Sequence, residues 1–265
     1  MMHIIKILIG DHYILVSTDD SSVQSWIHDQ FKVIPREQWD GNTPDLYMNI
    51  RKGYGAPLND YEVDIQEEED GILVYKRADF LIRMLPNYRQ VALQVYDDIA
   101  LKHALMIIYS AFIVHTGWGL LIHSSCVVNG DQAYLFAGLS GAGKSTVAVL
   151  SQPREVLSDE AALIKVEQDR IIAYDSPFRS DSKTNYEKAS RPLAAIHLLE
   201  QSPHIERSPI TQAETVFRLM DQIFYWAYDP AETRKVLELC RTLTKQVDAY
   251  NLKFQKNDLF WERIS

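Results

Sequence analysis

Cysteine is nearly absent: Cys126 and Cys240 are the only two in 265 residues. Two such residues supply neither a disulfide framework nor the spaced pairs of a zinc site, and each reads as a small buried side chain. Long apolar runs are missing too. The longest, Leu105 to Val114, is far shorter than a bilayer span and carries Tyr109 and Ser110. The N-terminus has no basic segment followed by an apolar core and a small-residue cleavage site, so no signal peptide and a cytoplasmic location are expected. Basic charge is in deficit. With 27 Lys and Arg against 36 Asp and Glu, the net charge of -9 argues against a general nucleic-acid binder. Internal repeats and low-complexity segments are lacking as well. The length suits one large domain or two small ones.

Against that background one stretch stands out, Gly138-Leu139-Ser140-Gly141-Ala142-Gly143-Lys144-Ser145-Thr146. It has the spacing G-x-x-x-x-G-K-[ST] of a phosphate-binding loop. The glycines let the backbone turn and aim several N–H groups at one point, a nest for anionic oxygens. A helix beginning near Lys144 adds the positive end of its dipole. The nucleotide-binding set is Gly138, Ser140, Gly141, Ala142, Gly143, Lys144, Ser145 and Thr146. Lys144 reaches the β- and γ-phosphates and the Ser145 hydroxyl ligates Mg²⁺. The flanks agree: Ala133–Ala137 is a short apolar run suited to a buried strand, and Thr146–Leu150 continues as helix until Pro153.

The N-terminal third reads as β-rich. Ile4 to Leu8 and Tyr13 to Val16 flank a turn at Gly10-Asp11. Ser21 with Gln24 forms a capping box ahead of Val23, Trp26 and Ile27 at helical spacing. Short strands follow near Tyr47–Ile50, Val63–Ile65, Ile72–Tyr75, Phe80–Ile82 and Val91–Val95. The acidic run Glu67–Asp70 reads as a solvated hairpin tip. Asp97 or Asp98 caps a helix to about His115 that is apolar nearly all round, a pattern of burial between layers. The domain boundary is therefore set near residue 96, giving an N-terminal domain 1–96 with a role in substrate recognition and a second domain 97–265.

Gly119–Val128 and Asp131–Ala137 form a hairpin about Asn129-Gly130. A two-residue turn pairs Val128 with Asp131 and sets His123 opposite Phe136, at the loop end of the hairpin. His123 is either a functional group there or a strand histidine that packs. One crossover later, Glu155–Glu160 is a short strand ending in carboxylates. A parallel crossover puts its carboxyl end beside the strand feeding the loop. Asp159 and Glu160 then offer one carboxylate for metal and one to accept a proton. Adjacent strand residues face opposite ways, so both act only where the strand has given way to a loop.

The tail closes a core. Thr211 with Glu214 is a second capping box, ahead of Val216, Leu219, Met220, Ile223 and Phe224. Asp229-Pro230 starts another helix, and Tyr250, Leu252 and Phe254 alternate as a strand. Phe224, Tyr225 and Trp226 read as helix core rather than as the lining of a peptide groove.

The order His123-Ser124-Ser125, the loop, then Leu157-Ser158-Asp159-Glu160 resembles the catalytic half of the HPr kinase/phosphorylase family. Ser176-Pro177-Phe178 and Ala194–Glu200 are similar to its stand-alone relatives from biosynthetic clusters for ribosomal peptides, lasso peptides among them. The resemblance covers residues 119–265. It implies an α/β fold: a P-loop kinase domain of the HPr kinase (PEP-carboxykinase-like) type, here behind an N-terminal β-rich α+β domain. It implies an ATP- or GTP-dependent, Mg²⁺-dependent serine kinase acting on a peptide or protein, with a precursor peptide the leading acceptor. Asp159 is then the proton acceptor, His123 and Lys144 stand with it in catalysis, and Ser145 and Glu160 serve the metal. Separately, Arg179, following Ser176-Pro177-Phe178 after the Ile171 to Tyr174 strand, reads as a contact to the acceptor or its phosphate, or else as a surface arginine. The second acid is Glu160 where the family has aspartate. The P-G-R-N type signature of the bifunctional enzymes is missing, so phosphorolysis and a hexamer are not expected, whereas a smaller homo-oligomer is compatible. A small-molecule hydroxyl kinase and a nucleotide-driven switch or ATPase remain as alternatives, and neither nucleic acid nor membrane is an expected partner.

Overall fold

Period-two alternation of apolar residues builds the N-terminal sheet, and near-continuous apolar strands build the second. The computed structural model describes residues 1–39, 41–180, 190–226 and 228–264. Its contacts divide into two units, Met1–His115 with Trp226–Asp229, and Thr116–Tyr225 with Pro230–Ser265.

The first unit holds β1 (His3–Ile9), β2 (His12–Thr18), α1 (Ser21–Gln30), β3 (Lys32–Ile34), β4 (Leu46–Lys52), β5 (Asp64–Glu67), β6 (Leu73–Arg77), β7 (Phe80–Met84), β8 (Gln90–Val95) and α2 (Asp98–His115). The strands form one sheet in the order β3-β1-β2-β4-β8-β7-β6-β5. The expected β1–β2 hairpin is present, with Ile9 opposite His12 across Gly10-Asp11. The remainder is not a simple meander, because β2–β4 and β4–β8 are parallel pairs. α1 begins one residue from its expected box. The Asp20 carboxylate accepts the amides of Ser22 and Val23, which a charged acceptor does better than the Ser21 hydroxyl.

α2 is capped by Asp97, whose Oδ1 accepts the Ala100 amide at 2.9 Å. By length and composition it is long and apolar enough to cross a membrane, and 67% of it is buried, as in a core helix. It packs on β7 and β8 and so belongs to the first unit, whose end falls at His115 rather than near residue 96. An all-round apolar helix has no polar face to mark which sheet it serves.

The second unit holds β9 (Gly119–Asn129), β10 (Gln132–Ala137), α3 (Lys144–Leu150), β11 (Val156–Ser158), β12 (Ala161–Val166), β13 (Ile171–Tyr174), β14 (Ser190–Gln201), β15 (Glu206–Pro209), α4 (Gln212–Met220), α5 (Pro230–Gln246), β16 (Asp248–Phe254) and α6 (Trp261–Ile264). β10, β14 and β16 run parallel, with β9 and β15 antiparallel at either side. The sheet also runs β9-β12-β13-β14, so β9 and β14 each serve two sets of partners. β9 is buried on both faces, and burying each of its large aliphatics contributes about 1.5–3 kcal/mol. Phe136, Val147, Leu252, Phe254, Phe260 and Trp261 form a cluster behind the glycine-rich loop.

Two tail readings change. α4 keeps its Thr211 cap but ends at Met220, and the Phe224–Trp226 aromatics lie outside any helix. Ile223 bridges to Ile122 of β9, and that added pairing ends the helix. On β16 the buried residues are Ala249, Leu252 and Phe254, whereas Tyr250 is half-exposed beneath the Arg207 guanidinium.

Candidate active site

The hairpin register sets the site. Asn129 pairs with Gln132, so the turn residues are Gly130 and Asp131, and the last pair is Ser124 with Ala137. Expectation had placed the turn at Asn129-Gly130 and His123 opposite Phe136. The positive φ of 63° falls on Gly130, which now takes the first central position of the turn. Relative to expectation the register slides toward the loop and brings His123 level with Gly138.

β9 changes neighbours at that level on both sides. Along one edge β10 stops at Ala137, and His123 N–H donates instead to the Gln222 carbonyl at 2.6 Å. Along the other edge β11 reaches Ser158 and β12 resumes at Ala161 opposite His123. Asp159 and Glu160 fill the bend between them, the local loss of strand that lets both carboxylates act on one side. β11 runs in the direction of β10, as expected, but with β9 between them. The Glu160 carbonyl accepts the Ser124 amide at 3.1 Å, which ties the bend to β9. Within β9, His123 is the one interior residue that is not buried.

The glycine-rich loop leaves the carboxyl end of β10 and enters α3. Gly143 caps α3 at φ 109°, and Gly141 has φ 78°. Lys144 is buried rather than exposed, and its Nζ donates to the carbonyls of Gly138 at 2.8 Å and Leu139 at 3.1 Å. Burial holds its ammonium pKa below the usual lysine range. Ser145 is exposed and Thr146 half-exposed at the helix start, and Ser140 and Gly141 are exposed at the loop tip. Gln201, at the end of β14, donates to the Gly141 carbonyl at 2.7 Å. A cleft of about 620 Å³ opens here, between Gly138–Ala142, the end of β14, and Arg218, Asp221 and Gln222.

His123 connects the loop and the acids. Burial and then the Lys144 charge push its pKa below the ordinary histidine value, while the Glu160 charge pulls it up. Its ring lies 5.6 Å from that of Phe224. The acids meet a residue that sequence reading passed over. The Ser180 amide donates to Asp159 Oδ1 at 3.0 Å, and the Ser180 hydroxyl donates to Glu160 Oε2 at 2.9 Å. Sequence spacing carries no signal for this contact, which depends on the chain after β13 folding back onto the bend. A hydroxyl therefore lies on Glu160, while Asp159 takes an amide and is nearly enclosed.

Arg179, expected at the acceptor, packs inward. It is buried, with Nη2 donating to the carbonyls of Val156 at 2.9 Å and Leu157 at 2.8 Å, Nε donating to Ser176 at 2.8 Å, and an ion pair to Asp175. Its guanidinium holds β11 to the chain after β13. Cys126 and Cys240 are buried thiols whose pKa burial pushes up to about 12, so both are inert.

Among the described residues, no three His, Cys, Asp or Glu side chains converge as a metal cage. The donors at the loop are a serine hydroxyl and, across β9, two carboxylates. That set fits Mg²⁺, which is held by one or two protein oxygens together with phosphate and water.

A search of curated proteins gives no match. Among solved structures, the HPr(Ser) kinase/phosphatase from Coxiella burnetii aligns with 54% of this chain and 90% of its own, at 10% identity and a TM-score of 0.30. The family model described as SynChlorMet cassette protein ScmC matches residues 89–265. That match takes in β8, α2 and the second unit with its loop, His123, and the acid bend, and the chain belongs to the ScmC family.

Proposed function

We propose that this chain is a nucleotide-dependent serine kinase, transferring the γ-phosphoryl group of ATP or GTP to a serine hydroxyl of a peptide or protein. The supporting observation is the meeting at His123. The glycine-rich loop and the acid bend flank one strand at one level, and strand spacing puts their backbones about 10 Å apart. A phosphoryl group held by the loop and a hydroxyl held by the acids both fit in that span.

Phosphoryl transfer needs positioning and charge neutralisation more than covalent help. The loop amides and Lys144 bind the phosphates, with Lys144 exchanging its bonds to the Gly138 and Leu139 carbonyls for phosphate oxygens. Ser145 and Asp159 would hold Mg²⁺, which would neutralise charge on the transferring group. We give Glu160 the acceptor proton, a reading its hydroxyl contact supports, and leave the nearly enclosed Asp159 to the metal. This reverses the order that the resemblance implied. His123, neutral near pH 7, fills the space between them without adding a competing charge.

A precursor peptide is the acceptor class we favour, and the first unit is assigned its recognition. That unit's sheet carries a hollow of about 430 Å³ lined in part by Leu15, Tyr47, Met48 and Leu85. The test is incubation of the full chain with nucleotide, Mg²⁺ and serine-containing peptides, read by mass spectrometry. A phosphoserine product supports the reading. Phosphorylation of free serine or a sugar alone turns it into a small-molecule kinase, and hydrolysis with no phosphorylated product turns it into a nucleotide switch.

A further inference from the structure

Ser180 lies against both carboxylates of the acid bend. Its hydroxyl proton points to Glu160 Oε2 at 2.9 Å, and its own amide is held by Asp159 Oδ1 at 3.0 Å. Two adjacent carboxylates thus grip one residue by backbone and side chain, as a kinase grips the residue it modifies. The contact is local to the bend, and the bend is pinned to β9 by the Glu160 carbonyl and the Ser124 amide. Ser180 is an exposed residue.

We propose that Ser180 is a self-phosphorylation site, modified by the chain's own active site with a nucleoside triphosphate as donor. The inference rests on the kinase reading above. In the step, the Ser180 Oγ–H bond breaks and its proton passes to Glu160 Oε2. A bond forms from Oγ to the γ-phosphorus. The bond from that phosphorus to the β–γ bridging oxygen breaks, and the nucleoside diphosphate leaves with the electron pair.

The product is unstable where it forms. A phosphoserine carries about -1.5 to -2 charge at neutral pH and would sit against two carboxylates. Repulsion drives it off the acids and clears the acceptor position. Unmodified Ser180 therefore competes with an external serine, and its modification removes the competitor.

The experiment uses the purified full chain with γ-labelled ATP and Mg²⁺, no acceptor added, and nucleotide binding measured in parallel on the same samples. Intact mass is expected to rise by one phosphoryl group, and peptide mapping to place it on Ser180. Ser180→Ala is expected to lose the label while binding nucleotide as before. Ser180→Thr retains a hydroxyl and is expected to label as phosphothreonine, which separates loss of the acceptor from loss of the fold. The fraction labelled per minute is expected to stay constant on dilution, since donor and acceptor lie in one chain. Nucleotide binding with no label on residue 180, or label retained in Ser180→Ala, overturns the self-phosphorylation and leaves the kinase reading standing. A labelling rate that falls in proportion to protein concentration overturns the intramolecular step. Absence of nucleotide binding overturns both readings together.

Discussion

Gly143 lies against the ring of Phe254: a Cβ added to it would stand 2.6 Å from Phe254 Cζ. The last long strand of the chain thus fixes the seat of the glycine-rich loop. Gly143→Ala meets this clash and a φ of 109°, which side chains rarely adopt. The expected cost is about 1–3 kcal/mol of stability. Phe254→Leu in the same chain opens space and should recover part of it, a coupling that a double-mutant cycle in urea will measure. Simple additivity of the two substitutions would refute the contact as the cause.

Lys144→Ala removes the side chain bonded to the Gly138 and Leu139 carbonyls. Leu139 is exposed but Gly138 is buried, so water replaces the lysine at one carbonyl only and the melting temperature should fall modestly. Phosphoryl transfer should fall by roughly 100-fold or more, because the removed charge neutralises the transferring group. Full turnover in a folded Lys144→Ala chain would remove the loop from the mechanism.

The acids separate by a metal titration. With Glu160 receiving the acceptor proton, Glu160→Gln should lower the rate by about 10²–10⁴ and stay low at saturating Mg²⁺. Asp159→Asn keeps the size of the side chain and an oxygen for the Ser180 amide, so its deficit should be smaller. A dead Asp159→Asn beside an active Glu160→Gln would restore the assignment drawn from the family resemblance.

Arg179→Ala should act on stability. Its removal breaks the buried ion pair to Asp175 and leaves the carbonyls of Val156, Leu157 and Ser176 without this donor. Breaking a buried pair of this kind costs about 3–5 kcal/mol. Urea denaturation should show that loss, and kcat/KM per folded molecule should stay near wild type. A raised KM for the acceptor at unchanged stability would return Arg179 to the acceptor site.

Legibility differed by the range of the interaction. The Gly10-Asp11 hairpin, the Thr211 cap and the Pro230 helix start depend on neighbouring residues, and sequence shows them. The strand–loop–helix at Gly138 was also legible, because glycine spacing reports backbone geometry directly. The hairpin register was misplaced because Asn129-Gly130 and Gly130-Asp131 both satisfy turn chemistry, and the choice is made by how β9 fits β12 and how β10 fits β14. The contacts of Arg179 with β11 and of Ser180 with the bend were not legible for another reason. Those partners lie about twenty residues back, and no local pattern marks a guanidinium that turns inward.

His197 gives the chain an acid limit. It is fully buried on β14, with Phe136 stacked at 5.1 Å and Tyr250 at 5.7 Å, and its Nε2 accepts from Arg207 Nε at 3.1 Å. Burial first, and the Arg207 charge second, push its pKa down to about 3. The unfolded chain has an ordinary histidine near 6.5, so between about 6.5 and 3 the unfolded state binds the extra proton. Stability therefore rises with pH through that window and is lost as pH falls through it, at up to about 1.4 kcal/mol per pH unit from this residue. His197→Phe retains the stacking and removes the titration. Urea unfolding free energies measured from pH 7.5 to pH 4.5 should fall less steeply in His197→Phe than in the wild type. The difference in slope should approach one proton. Equal slopes in the two proteins would mean that His197 gains its proton without unfolding the sheet around it.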